Sequence, residues 1–306
     1  MSKNIFLFPG QGAQYIGMGS SLAQNFEPAK KMLEYADEIL GFSISKIMKE
    51  GPEEVLKSTD NTQPALFVTS MMVMELLISE GITCDMVAGH SLGEYSAICA
   101  AGGLSFEDGL RLVRKRGELM ATAGSRSPGK MAAIVGAEDS VVEALCAEAS
   151  IKGIVIPANF NCPGQVVASG SVEGINALVE LCEASSIKVV VLPVSGAFHS
   201  PLMQFAVDGL VEAISKVKFS DLKYPLIANV TAEPIVDGAL LPDLLARQIV
   251  SPVRWGASMQ KAISLGVTSG VEVGAGKVLM GLMRKIDRNI KIVPVENIAD
   301  LAPLKG

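Results

Sequence analysis

The chain has few of the residues that build metal and redox sites: two histidines, one tryptophan and five cysteines in 306 residues. The cysteines, Cys84, Cys99, Cys146, Cys162 and Cys182, are odd in number, widely spaced and without a CxxC pair. That pattern excludes a disulfide framework and, with only two histidines, a four-ligand zinc site, so reduced thiols in a cytoplasm are expected and no metal. Long apolar runs are also missing. Although mean hydropathy is +0.38, charges, glycines and prolines interrupt every apolar stretch before the ~18 residues that a membrane span needs, and no membrane partner is expected. The opening "MSKNIFLFPGQGAQ" carries one lysine and no small-residue cleavage site, so it reads as a buried first strand rather than a secretion signal. Positive charge is short too, 26 Lys+Arg against 32 Asp+Glu for a net charge of −6, which argues against general nucleic-acid binding. Repeats and low-complexity tracts are absent. What remains is 49% hydrophobic and 19% charged residues, enough to bury a large core.

Apolar strands and amphipathic helices alternate along the chain, the pattern of an α/β fold. "IFLF" predicts a strand. Thr62 as N-cap with Pro64 in the first turn predicts a helix through "LFVTSMMVMELLISEG", and "MVAG" the next strand. Ser105 with Asp108 resembles a capping box opening a helix through "LRLVRKRGELMATAG". From Lys130 to Val194 the rhythm becomes strand "MAAIVG", helix 139–150, strand "IVIPANF", strand "QVVASG", helix 172–186, strand "KVVVLPV". This β-α-β-β-α-β order is that of a ferredoxin-like module, and breakers "AGSRSPG" and "SGAFHSP" flank it. The expectation is a discontinuous α/β-hydrolase-like domain with a parallel sheet, residues 1–127 and 197–306, carrying an inserted ferredoxin-like subdomain at 128–196. Helices near 200–217, 240–250 and 255–265 and strands "LIAN", "VTSGVEV" and "IKIVPV" complete the large domain.

Within "MVAGHSLGEYSA", Gly89-His90-Ser91-Leu92-Gly93 matches G-x-S-x-G. In a strand–turn–helix context the motif lifts the serine out of the sheet, and the following helix N-terminus offers N–H groups to a developing oxyanion. Glycines flank the serine because the sharp turn leaves no room for a Cβ. Ser91 is therefore the candidate nucleophile; the bland reading is a tight turn with an incidental serine. A serine hydroxyl needs a base, and histidine is the usual one. His90 adjoins Ser91, but neighbours on so sharp a turn point apart, which suits packing. His199, in the loop leaving the inserted module, sits where a cleft between domains would form, although a lone loop histidine is more often structural. No histidine follows it and no carboxylate lies within several residues, so the Ser, Asp/Glu, His order of hydrolases is missing. A Ser-His dyad with a carbonyl-oriented imidazole is expected.

These residues resemble the malonyl-CoA:acyl carrier protein transacylases of fatty acid synthesis, whose acyltransferase domains also occur in polyketide synthases. The resemblance is carried by "FPGQGAQ", "TQPALF", "GHSLGEYSA", "RKRG", "NCPGQVV", "GAFHS", "NVTAEP" and "GAGKVL", which together span nearly the whole chain. It implies that Ser91 is acylated, that His199 is its base, and that the carbonyl of Gln248 holds the imidazole. It implies also that the N–H groups of Gln11 and Leu92 form the oxyanion hole and that Arg116 binds the malonyl carboxylate. On spacing alone Arg116, beside Arg111, Arg114 and Lys115, would be a solvated helix charge; a guanidinium can nevertheless clamp a carboxylate through two parallel hydrogen bonds. Ala197 and Phe198 precede the histidine, and a bulky Phe198 resembles the malonyl-selective rather than the methylmalonyl-selective type. The implied substrates are malonyl-CoA and holo-acyl carrier protein, with no further cofactor, in a monomer. An acidic carrier calls for a basic rim, for which Arg111, Lys115, Lys188, Arg284 and Lys285 are candidates.

Other motifs weigh less. Gly10 and Gly12 let a backbone approach a ligand closely, but G-x-G-x-x-G is absent. "GSRSPGKM" imitates a phosphate-binding loop until Met131 replaces the required Ser/Thr, and a strand rather than a helix should follow. "VEVGAGKVL" predicts a strand-to-helix turn where Lys277 or the helix N-terminus could meet a phosphate. A serine thioesterase or a silent carrier-protein scaffold are the rival readings of the whole.

Overall fold

A computed structural model describes residues 2–194 and 196–305; Met1 and Gly306, at the ends of the expected large domain, and Ser195, within the expected insert and its flanking breaker, lie outside the described residues. Ten strands are defined among the described residues: β1 Lys3–Phe8, β2 Met86–Gly89, β3 Gly129–Val135, β4 Val155–Cys162, β5 Gln165–Ser171, β6 Lys188–Val191, β7 Leu226–Ile227, β8 Pro234–Ile235, β9 Val267–Val273 and β10 Lys291–Val295. They form a six-stranded sheet in the order β10-β9-β1-β2-β7-β8 and a four-stranded sheet in the order β4-β5-β3-β6. In the large sheet every pairing is parallel except β7 with β8.

The central strand β1 is apolar on both faces, with Ile5, Phe6, Leu7 and Phe8 all fully buried, as helices covering both sides of a parallel sheet require. One of its helices, Thr59–Ser79, begins three residues before the expected Thr62 N-cap. Pro64 cannot donate to the carbonyl of Asp60, and Arg114 Nη1 occupies that acceptor at 2.8 Å instead, so the first turn survives. Thr62 Oγ1 donates to the carbonyl of Leu56 at 2.6 Å rather than capping. This helix is long and apolar enough to cross a membrane, contrary to the expectation that no stretch would be, yet 83% of its 18-residue apolar window is buried inside the protein. Its hydrophobicity fills the core on all sides.

The small sheet is antiparallel throughout. In module order its strands lie 2-3-1-4, with helices Asp139–Ala149 and Val172–Ala184 between them in the chain, the ferredoxin-like arrangement expected. Val142, Cys146, Ile175, Leu178 and Cys182 belong to a core of its own. Strand β6 stops at Val191 where "KVVVLPV" suggested a longer one, because Pro193 has no N–H for the ladder. Pro157 is accommodated at a register shift on edge strand β4. Strand β4 of the small sheet is tied at Val253 to the segment before the helix Trp255–Ser264: the Val253 N–H donates to the carbonyl of Ala158 and its carbonyl accepts from Phe160 N–H, each at 2.9 Å. All five cysteines are free thiols.

Candidate active site

Strand β2 runs directly into a turn and the helix Gly93–Ala100. The turn is tight enough that a Cβ on Gly89 would lie 1.9 Å from the carbonyl oxygen of Gly93, and one on Gly93 would lie 2.0 Å from that of Phe8. Between them Ser91 takes a φ of 52°, a left-handed conformation that a side chain adopts only under constraint. The constraint is visible: Ser91 N–H donates to Asn229 Oδ1 at 2.8 Å, while Asn229 Nδ2 donates to the carbonyl of Gly89 at 2.7 Å. Asn229 thus holds both limbs of the turn.

The tip of the turn faces His199. Ser91 Oγ lies 2.7 Å from His199 Nε2, and His199 Nδ1 lies 2.9 Å from the carbonyl oxygen of Gln248. A carbonyl can only accept, so Nδ1 carries the proton and Nε2 is free to accept from the hydroxyl. His199 is buried and itself left-handed, φ 59°. Burial, reinforced by the charge of Arg116, drives its pKa down to about 3. The imidazole is therefore neutral at physiological pH, the form in which a base works.

Arg116, on the helix Phe106–Arg126, is 1% exposed, which rules out the solvated helix charge. Its Nη2 donates to Ser91 Oγ at 3.1 Å and to Gln248 Oε1 at 3.0 Å, and its Nη1 donates to Gln63 Oε1 at 2.9 Å. The guanidinium lies over the ring of Tyr95, 5.5 Å from its centroid. Among the described residues its Nε is buried without a partner, leaving the cation an unused donor.

Gln11, Ser91, Leu92, Arg116, Phe198 and His199 line one cavity of about 270 Å³ between the two sheets. Among the described residues neither the Gln11 nor the Leu92 N–H has an acceptor within the protein, so both donors are available to a ligand. Gln248 lies behind the cavity, fully buried, and reaches it only through its partners. A larger groove, about 580 Å³, opens beside Glu138 and Arg254 and contains none of these residues.

His90 has the packing environment expected of it, with Nε2 2.9 Å from Asn161 Oδ1 and its ring against Trp255, although it also touches the cavity. The helix N-terminus after "VEVGAGK" is not open to a phosphate. Buried Glu272 accepts from Leu279 N–H at 2.9 Å and Met280 N–H at 2.8 Å and occupies it. "GSRSPGKM" runs from the end of a helix into β3, the reverse of a phosphate-binding loop. Of the rim cations, Arg111 is paired with Glu107 at 2.9 Å, whereas Arg284 and Lys285 border an open surface groove with Arg288.

Two residues escaped the sequence reading. Asn229 lies in "NVTAEP", where nothing in spacing ties it to a serine 138 positions earlier. Glu94 is the second: a carboxyl group buried at 1% exposure just after Ser91, where no buried acid was expected near the pair. It accepts from Asn229 N–H at 2.8 Å and from Gln248 Nε2. Burial raises its pKa to about 7, against the lowering effect of those two donors and of Arg116. The signal was present in "GEYSA", a charged residue in an otherwise apolar turn of helix.

A hydroxyl on a strained strand-to-helix turn, a neutral imidazole beside it and two idle amides in one cavity define an enzyme that moves acyl groups. The chain belongs to the acyl transferase domain family, whose sequence profile matches residues 5–301. It is 44% identical over 299 residues to the malonyl CoA-acyl carrier protein transacylase of Bacillus subtilis, covering 97% of this chain and 94% of that one. Its fold matches the crystal structure of an acyl carrier protein S-malonyltransferase from Vibrio cholerae with a TM-score of 0.95 at 37% identity, over 99% and 100% of the two chains. It also matches, with a TM-score of 0.95 at 34% identity over 98% of each chain, a malonyl-transacylase in complex with its type II polyketide synthase acyl carrier protein.

Proposed function

We propose that this acyltransferase carries the malonyl group from malonyl-CoA to the pantetheine thiol of holo-acyl carrier protein, supplying extender units for fatty acid biosynthesis. Ser91 Oγ attacks the thioester carbonyl as His199 Nε2 takes its proton, and the oxyanion is received by the N–H groups of Gln11 and Leu92. Collapse of the tetrahedral intermediate breaks the C–S bond, and CoA leaves with the proton from His199. The carrier thiol then attacks malonyl-Ser91 by the reverse sequence, returning the serine hydroxyl. Arg116 binds the free carboxylate of the malonyl group, the Gln248 carbonyl keeps the imidazole in its working tautomer, and Phe198 limits the room beside the acyl chain.

The observation that carries this reading is the 2.7 Å contact between Ser91 Oγ and His199 Nε2 in a cavity that also contains a buried arginine. A cation inside an acyl pocket favours diacid monothioesters, and an imidazole oriented by a carbonyl rather than by an acid serves thiol acceptors as well as water. The reaction needs no cofactor beyond its substrates. We further assign the boundaries of the inserted unit to 128 and 196, the working form to a monomer and the location to the cytoplasm, in keeping with five free thiols. Arg284 and Lys285 are the rim cations best disposed to meet an acidic carrier.

Intact-mass measurement after mixing with malonyl-CoA, and again after adding holo carrier protein, tests the proposal. A malonyl adduct on Ser91 that moves to the carrier is expected. An adduct lost to water at the same rate without carrier would identify a thioesterase, and no adduct would remove Ser91 from the reaction.

A further inference from the structure

Glu94 neither lines the cavity nor pairs directly with a cation among the described residues. Its two oxygens instead hold two groups brought from distant parts of the chain. Oε1 accepts from the backbone N–H of Asn229, and Oε2 accepts from Gln248 Nε2. Each of these partners touches the reacting pair. Asn229 holds the Ser91 N–H and the Gly89 carbonyl. The Gln248 amide also donates to the Ser91 carbonyl at 2.8 Å and accepts from Arg116, while its backbone carbonyl takes the Nδ1 proton of His199. Arginine has donors only, so the Gln248 side chain must turn its oxygen to Arg116 and its NH₂ to Glu94 and Ser91. One carboxylate therefore stands behind the turn of the nucleophile and the orientation of the base.

Burying an acid is costly unless both oxygens are satisfied and a counter-charge is near. Here two donors and Arg116, on the far side of Gln248, offset part of that cost. We propose that Glu94 is a positioning residue of the acyl transfer, acting on Ser91 through Asn229 and on His199 through Gln248. The proposal rests on the Ser91–His199 reading given above. It assigns to this fold a buried acid two hydrogen bonds away from the imidazole rather than in contact with it.

Glu94→Gln tests it, because an amide can accept from only one of the two partners and turns a donor against the other. Single-turnover acylation by malonyl-CoA is followed by intact mass, with thermal melting to confirm folding. The expected result is a loss of about tenfold to a hundredfold in the saturating rate, the range of a small misplacement of reacting groups. Half-saturating malonyl-CoA changes little, and acetyl-CoA acylation falls by the same factor. Gln248→Glu cannot rescue the variant, because the Gln248 amide also donates to the Ser91 carbonyl at 2.8 Å and a carboxylate there has no donor. A merely structural role predicts lower stability with the saturating rate of the folded protein unchanged. If Glu94→Gln does not fold, Glu94→Asp serves, since a carboxylate withdrawn by one methylene cannot reach both partners. A folded variant of either kind that acylates like the wild type overturns the proposal. Failure of the wild-type protein itself to acquire malonyl on Ser91 would overturn the underlying reading as well, so the two failures are separate.

Discussion

Arg116 Nη2 already donates to Ser91 Oγ, at 3.1 Å, before any acyl group is present. The same nitrogen reaches Gln248 Oε1, and the whole guanidinium is buried behind Ser91. In the proposed reaction a substrate carboxylate entering the cavity meets a desolvated cation preset at a distance defined by the serine, and an acetyl group has nothing to pair with it.

Arg116→Ala should therefore lower kcat/KM for malonyl-CoA by about 1.5–3 kcal/mol, the contribution of a hydrogen bond to a charged group, or roughly tenfold to a hundredfold. Acetyl-CoA should lose far less. Steady-state comparison of the two thioesters decides the matter, and equal losses would remove the carboxylate clamp.

Phe198 is buried on the cavity wall, where we propose that it restricts space beside the acyl chain. Phe198→Ala should raise the ratio of methylmalonyl-CoA to malonyl-CoA turnover, by up to about tenfold for a freed pocket of methyl size. An unchanged ratio would place the restriction elsewhere.

Turn geometry predicts a stability effect. A Cβ on Gly93 would meet the Phe8 carbonyl oxygen at 2.0 Å, and backbone on the central strand cannot yield as a side-chain end could. Gly93→Ala should cost about 3 kcal/mol or more, at the upper end of overpacking, and remove acylation with it. Denaturant unfolding measures this; a loss below about 1 kcal/mol would show that the turn relaxes cheaply.

The buried imidazole sets a pH dependence. In the unfolded chain His199 takes up a proton below about 6.5, while burial and Arg116 keep the folded one neutral down to about 3. Its contribution to stability is therefore lost as pH falls from about 6.5 towards 3. Glu94 acts in the opposite sense: its folded pKa of about 7 lies above the ordinary 4.5, so its contribution declines as pH rises through that interval. Replacing His199 isolates the first effect. The melting temperature of His199→Gln should fall less than that of the wild type between pH 6.5 and 4, and parallel curves would refute the neutral buried imidazole.

Much of this architecture is legible along the chain because it is local. Strand "MVAG", the glycine-flanked serine and the helix behind it are legible within a dozen positions, although the contact that requires Gly93 comes from Phe8 and the brace on the turn from Asn229. The capping of the Phe106–Arg126 helix by Ser105 is equally short-ranged, with Asp108 N–H donating to Ser105 Oγ at 3.0 Å. The β-α-β-β-α-β module follows from the order of apolar runs alone: β6 ends early where Pro193 meets the ladder, the first strand begins two residues early, the second ends two residues late, and the two helices stop one or two residues short.

The start of the Thr59–Ser79 helix was out of local reach, since the carbonyl freed by Pro64 is satisfied by Arg114, fifty-four positions away. The same holds for the burial of Arg116, which by composition belongs to a basic surface stretch and by packing to the interior. Asn229 and Glu94 were missed because their partners come from separate elements.

By itself the sequence determined the elements, the turn that carries the candidate nucleophile and the alternation that makes an α/β sheet, because periodicity and turn chemistry act between near neighbours. Only the tertiary structure decided which long-range donors meet which acceptors: His199 with the Gln248 carbonyl, Asn229 with Ser91, Glu94 with both. Hydrogen bonds of that kind have no period in sequence; they exist when packing brings distant segments within about 3 Å and excludes the water that would otherwise compete for them.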